Sequence, residues 1–130
     1  MKKIALILAT LMMAAGCTPA EAPSEASYSY SDGSGNAYFI TESTVQYDPI
    51  TAAESSSGVY DGGEPKTSAI DADQFDQIMT LFDQAASDES IQIENRAKGS
   101  GYFQYPDSDP VIIEMGSVIQ IQIEALLSNL

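Results

Sequence analysis

The apolar positions along this chain change period several times, and each change marks an element. From Ile4 to Ala15 every residue except Thr10 is apolar, with Lys2 and Lys3 ahead of the run. Thr18 to Ser27 then holds only Thr, Pro, Ala, Glu and Ser, so it has no bulky side chain to bury. Tyr28 and Tyr30 alternate with serines, and Asp32-Gly33-Ser34-Gly35-Asn36 supplies turn residues. Ala37 to Tyr47 alternates again, with Tyr, Phe, Ile, Thr and Val. That period of two predicts a hairpin, ended at Asp48-Pro49 because proline donates no ladder hydrogen bond. Ile50 to Ser68 is mostly turn chemistry and reads as one long loop, with Val59 and Tyr60 placed to pin it down. Loops of this length inside compact domains are usually functional or disordered.

The period lengthens at Asp71. Asp71 and Gln74 have the spacing of a capping box, and Ile70 and Phe75 that of a hydrophobic staple. Phe75, Ile78, Met79, Phe82 and Ala86 then recur on one helical face, with Asp73, Asp76, Gln77, Asp83 and Gln84 on the solvated side. A helix from Ala72 to about Ala86 follows. Three short strands come next, Ile91 to Lys98, Tyr102 to Tyr105 and Val111 to Met115, separated by Gly99-Ser100-Gly101 and Pro106 to Pro110. The last segment fits two periods. Ile119, Ile121 and Ile123 alternate with polar residues as in a strand, while Ile119, Ile123, Leu126, Leu127 and Leu130 share a helical face. Ser117 with Gln120 as a second capping box, and the helix formers Ala125-Leu126-Leu127, favour a helix from Val118 to Asn129. Three β-branched isoleucines work against it. The order β-β-loop-α-β-β-β-α predicts one α+β domain over residues 28–130. It is a small antiparallel sheet of about five strands with two helices on one face, and its edge and outer face carry serines, glutamines and acids.

The opening segment bears on location. A basic start, a short apolar run and Ala15-Gly16 are the layout of a secretory signal peptide. Twelve helical residues reach about 18 Å, short of the roughly 30 Å hydrocarbon core, so residues 1–16 are read as a segment to be removed. Ala14-Ala15-Gly16-Cys17 resembles the lipobox of bacterial lipoproteins, departing from the commonest pattern where Ala14 stands in the place of leucine. The resemblance covers the signal and Cys17 and none of the folded domain. It implies cleavage before Cys17, a lipid on its sulfur and acylation of the new amino group, with residues 17–27 as a lipidated tether. Thr18 in place of aspartate implies, by analogy with enteric-type sorting, the outer membrane, with the domain in the periplasm. The bilayer is then one partner, held through Cys17. Independently of the resemblance, the single cysteine of an exported chain has no internal disulfide partner, and acyl chains contribute about 0.8 kcal/mol per buried methylene.

Removing Lys2 and Lys3 takes five basic residues to three, Lys66, Arg96 and Lys98, against nineteen acids, a net charge of −16. That field disfavours nucleic acid and anionic headgroups and favours cations or basic partners. The absence of histidine removes Ser-His-Asp and Cys-His catalysis and histidine metal sites. With Cys17 committed to lipid, thiol catalysis and thiolate zinc go too. Asp107 with Asp109, or Asp61 with Glu64, offer carboxylates for calcium, but EF-hand spacing fails: the fifth position from Asp107 is Val111. A Ser-Lys dyad from Ser55, Ser56 or Ser57 with Lys66 or Lys98 has only residue types in its favour. Arg96 and Lys98 can hold an acidic partner or pair with Glu94 or Glu114. The expectation is a non-enzymatic envelope lipoprotein without cofactor or metal. It is expected to act as an interaction module on an envelope protein through a candidate loop, Ser55, Ser56, Ser57, Val59, Tyr60 and Asp61, with Arg96 and Lys98. The alternative is a small-ligand or cation binder using its acidic loops.

Overall fold

The structure, a computed structural model, describes residues 27–130. The signal segment, the lipidation site Cys17 and the tether up to Ala26 lie outside the described residues. The fold is α+β. Strands β1 (Tyr28–Ser31), β2 (Ala37–Ile40), β3 (Thr44–Asp48), β4 (Lys66–Ala69), β5 (Gly101–Gln104) and β6 (Val111–Ile113) form one antiparallel sheet in the order β4-β3-β2-β1-β5-β6. Helices α1 (Ala72–Ser87) and α2 (Val118–Ser128) pack together over one face. No helix among the described residues is long and apolar enough to cross a membrane.

Strand alternation builds the core. Register sets Tyr30 opposite both Tyr38 and Phe103, and Ile40 opposite Val45, all with buried side chains. Ile78, Phe82 and Ala85 of α1 and Ile123 and Leu127 of α2 close over them. Phe82 stacks on Phe103 at 4.9 Å between ring centroids and on Tyr30 at 6.1 Å. The helix-free face carries Ser29, Gln46 and Thr67 around Phe39, which is exposed. In α1 the capping box forms in full, Gln74 N–H donating to Asp71 Oδ1 at 2.8 Å and Asp71 N–H to Gln74 Oε1 at 2.9 Å. The buried stripe closes on Ala85; Ala86 is exposed.

Three elements differ from the sequence reading. Ala37 to Tyr47 is two strands joined by Glu42-Ser43. Thr41 Oγ1 accepts the N–H groups of Ser43 and Thr44 at 3.3 and 3.0 Å, and Thr41 N–H donates to Thr44 O at 2.9 Å. The buried positions pass from even numbers, Tyr38 and Ile40, to odd, Val45, across the turn, a phase change that the continuous run of strand-forming residues hides. The end of the long loop, Lys66 to Ala69, is strand β4, whose exposed polar residues carry no apolar signal. Ile91 to Lys98 is not a strand. Glu89–Ile91 is a 3₁₀ turn, and Gln92 makes only an isolated bridge to Ile113. The Gln92 amide donates to Ala85 O and Ala86 O at 2.8 and 3.0 Å, satisfying carbonyls at the end of α1 and holding the segment there. The closing segment is helical, and its capping box half forms: Gln120 N–H donates to Ser117 Oγ at 3.3 Å, while the Gln120 side chain is used elsewhere.

Candidate functional site

The candidate loop and Arg96 converge on the β1–β2 turn. Asp32 shapes that turn, its Oδ1 accepting the N–H groups of Ser34 and Asn36 at 2.9 and 3.0 Å. Asn36 is 3 % exposed and reaches three ways: its Nδ2 donates to Asp32 Oδ2 at 2.9 Å and to Tyr60 Oη at 3.0 Å, and its Oδ1 accepts Ile50 N–H at 3.1 Å. The loop is fastened again where Tyr47 Oη donates to Gly62 O at 2.6 Å and Gly62 N–H to Ile50 O at 3.0 Å. Gly62 passes so close to Asn36 and Pro49 that a Cβ there would collide with both. Between these fastenings the chain arches outward, with Val59 82 % exposed at the tip and Tyr60 more than a third exposed.

The serines serve the arch. Ser55 and Ser57 hydroxyls lie 2.9 Å apart, and Ser57 Oγ accepts the N–H groups of Val59 and Tyr60 at 3.4 and 3.3 Å. Ser56 is exposed, and Asp61 Oδ1 accepts Gly63 N–H at 2.9 Å. Glu54 folds back on the main-chain N–H and the hydroxyl of Thr51 at 2.8 and 3.0 Å, which holds its carboxyl below the usual range. No Ser-Lys dyad is assembled from Lys66, whose ammonium donates to the main-chain oxygen of Leu130. Arg96 reaches the turn from the other side. Its Nη2 donates to Ser31 Oγ at 3.0 Å and Asp32 O at 3.1 Å, and its guanidinium lies 5.3 Å from the centre of the Tyr102 ring. These partners, rather than Glu94 or Glu114, satisfy it. Lys98 is exposed and joins none of these bonds.

Below the turn lies a buried polar cluster that pattern reasoning missed. Glu124 Oε1 accepts from Tyr30 Oη at 2.9 Å, Gln120 Nε2 at 3.1 Å and Gly33 N–H at 3.2 Å. Gln120 Nε2 also donates to Gly99 O at 2.8 Å, and its Oε1 accepts Gly116 N–H at 2.7 Å. The cluster ties α2 to two turns and leaves no buried side-chain polar atom unpaired among the described residues. The only sequence signal was a Gln and a Glu four apart inside an apolar run. Burial, reinforced by the Glu124 and Asp32 charges, raises the Tyr30 phenol far above its ordinary value. Burial and then Asp32 push Tyr38 up to about 12. Tyr47 and Tyr105 are raised too, by burial first, with the Asp83 bond next for Tyr105.

A second feature lies beneath β4. A cavity of about 330 Å³ opens between Tyr38, Val45 and Tyr47 of the sheet, Lys66 and Ser68 of β4, and Leu127 and Leu130. Its size is at the lower end of small-molecule sites. Among the described residues no three or more His, Cys, Asp or Glu side chains are grouped to hold a metal ion, and Asp107 and Asp109 stand exposed in their turn. A scan against protein-family models finds no matching family, and searches of curated proteins and of solved structures return no match.

Proposed function

We propose that this protein is a membrane-anchored envelope lipoprotein acting as a non-enzymatic interaction module, docking an envelope protein through residues 50–68 and the adjoining sheet edge. The observation that carries the reading is the arch. Asn36, Tyr47 and Gly62 hold its ends rigidly while Val59 is left almost fully exposed at its tip. An apolar side chain presented on fixed supports loses little freedom on binding, which favours recognition. Its position agrees with a lipid anchor at Cys17. The tether would enter at Tyr28, and β1 runs from there to the Asp32–Asn36 turn, so the arch projects from the end of the sheet opposite the tether.

The test has two arms. Cys17→Ser should release the protein from the membrane fraction or leave it unprocessed; a variant that fractionates like the parent, with no acyl mass on the parent, overturns the anchor. Pull-down of the lipidated parent from its own membranes should recover a partner that Val59→Asp loses and Gln84→Ala retains. Equal recovery by both variants removes the arch from the interface.

A second reading, a small-ligand binder, is favoured by the cavity under β4. Its test is a thermal-shift screen of small amphipathic ligands, in which a saturable rise lost in Ser68→Phe would support it. Its cation form would need a calcium-specific rise beyond an ionic-strength control.

A further inference from the structure

The sheet has two terminal strands, and they are treated differently. The outer edge of β6 is taken, since Glu114 N–H donates to Ile91 O at 2.7 Å and Ile93 N–H to Ile112 O at 3.0 Å. β4 is the other terminal strand, bonded to β3 on one side. Ile70 N–H donates to Ser43 O at 2.9 Å, which fixes the phase of the ladder: Ser68 and Lys66, two and four residues back, face β3. The N–H and C=O groups of Thr67 and Ala69 therefore point outward, and both residues are exposed. On the helix side of the same strand, Lys66 and Ser68 line the cavity with Leu127 and Leu130. An open main-chain ladder beside a pocket for alternate side chains is the arrangement that recognises an extended peptide, the ladder giving affinity and the pocket selectivity.

Charge narrows the occupant. Glu64 precedes the strand, Asp71 follows it, and Glu42 stands in the turn whose Ser43 pairs with Ile70; all three are exposed. The one basic residue of the strand, Lys66, has its ammonium on Leu130 O. The chain's own residues 18–27 do not complement this edge, having two acids, no base and no bulky side chain.

We propose that β4 takes up one added strand from a partner: an extended segment with lysine or arginine at its flanks and a bulky apolar side chain entering the cavity beside Leu127 and Leu130. This rests on the interaction-module reading and names the chemistry of the partner at the sheet edge. Pro65 and Lys66 at the start of β4 limit the open ladder to a few residues, which suits a short segment over indiscriminate edge pairing.

The test is selection of a random peptide library, displayed on phage, against the folded domain, followed by affinity measurements on Thr67→Pro and Ser68→Phe. Proline is tolerated on an edge strand where its N–H would face solvent, so Thr67→Pro removes a docking donor and should leave the melting temperature close to the parent's. Selected peptides should be basic, alternate apolar with polar residues, weaken with added salt, and lose at least tenfold in affinity to Thr67→Pro. Ser68→Phe, which fills the cavity, should cost a similar factor and serves if the proline variant does not fold. Acidic or helical peptides, or affinities unchanged in a folded variant, overturn strand addition. Peptides that bind Thr67→Pro normally but lose Val59→Asp overturn it while leaving the module reading intact, and a library yielding no binder overturns strand addition, with the pull-down of the lipidated parent deciding the module reading separately. A parent dimer that Thr67→Pro converts to monomer assigns the edge to a second copy and overturns the partner.

Discussion

Phe82 stands at the crossing of helix and sheet, and truncating it tests the packing account directly. Its side chain is 0 % exposed, stacked within 25° of parallel on Phe103 and 29° on Tyr30, with Tyr105 edge-on at 6.5 Å. Phe→Ala at such a site costs roughly 3–5 kcal/mol, the transfer of the lost atoms plus the cavity left behind. Three rings lose a partner at once, which places Phe82→Ala in the upper half of that range. A domain of this size holds about 5–15 kcal/mol in all, so the variant should be marginal and protease-sensitive. With a urea slope of about 1–3 kcal/mol/M, the midpoint should fall by roughly 2 M. The matched control is Gln84→Ala, exposed two residues along and expected to change stability by no more than about 0.5 kcal/mol. Asp83, on the solvated face by its spacing, is unsuitable because it accepts the Tyr105 hydroxyl at 2.6 Å. A Phe82→Ala loss below about 1 kcal/mol with an unchanged slope would mean that α1 does not seal the core. Its apolar stripe would then have to be reconsidered as a binding surface.

Asn36→Ala removes three side-chain hydrogen bonds at the foot of the arch and should cost about 1–3 kcal/mol. Limited proteolysis should then cut between Thr51 and Gly62, and an uncut loop would contradict its fastening role. Stability should be level from neutral pH to about 10 and fall above it. The folded phenols of Tyr30, Tyr38, Tyr47 and Tyr105 are raised over the unfolded value near 10, so the unfolded chain loses protons first, and Tyr38 contributes between there and about 12. Urea melts at stepped pH check this, and a Tyr30→Phe variant with an equally steep alkaline loss would refute the part given to that phenol. Calcium at millimolar concentration should raise the melting temperature no more than a matched ionic-strength control, as scanning calorimetry would show.

Local physics was legible wherever an element buries one face against a single neighbour. The Asp71–Gln74 box and the Phe75, Ile78, Phe82 spacing located α1 because capping and a helical stripe are properties of adjacent residues. The Tyr28, Tyr30 and Tyr102 to Tyr105 alternations located β1 and β5 for the same reason. The second helix was legible through Ser117 and Ala125 to Leu127, despite three isoleucines. Where the pattern misled, a contact from far along the chain made the decision. Ile91 to Ile93 looks like a strand, yet the Gln92 amide is drawn to the carbonyls that end α1. Lys66 to Ala69 looks like loop because an edge strand needs hydrogen bonds from β3 and no apolar face of its own. Gln120 looks like a cap residue and Glu124 like a solvated acid, yet folding brings Tyr30, Gly33 and Gly99 to them from 21 to 94 residues away. The sequence by itself determined the fold class, the main helix and the acidic surface. Only the tertiary structure decided which edge of the sheet is open among the described residues, what lies beneath it, and that Asn36 holds the arch, because each depends on residues that meet only in space.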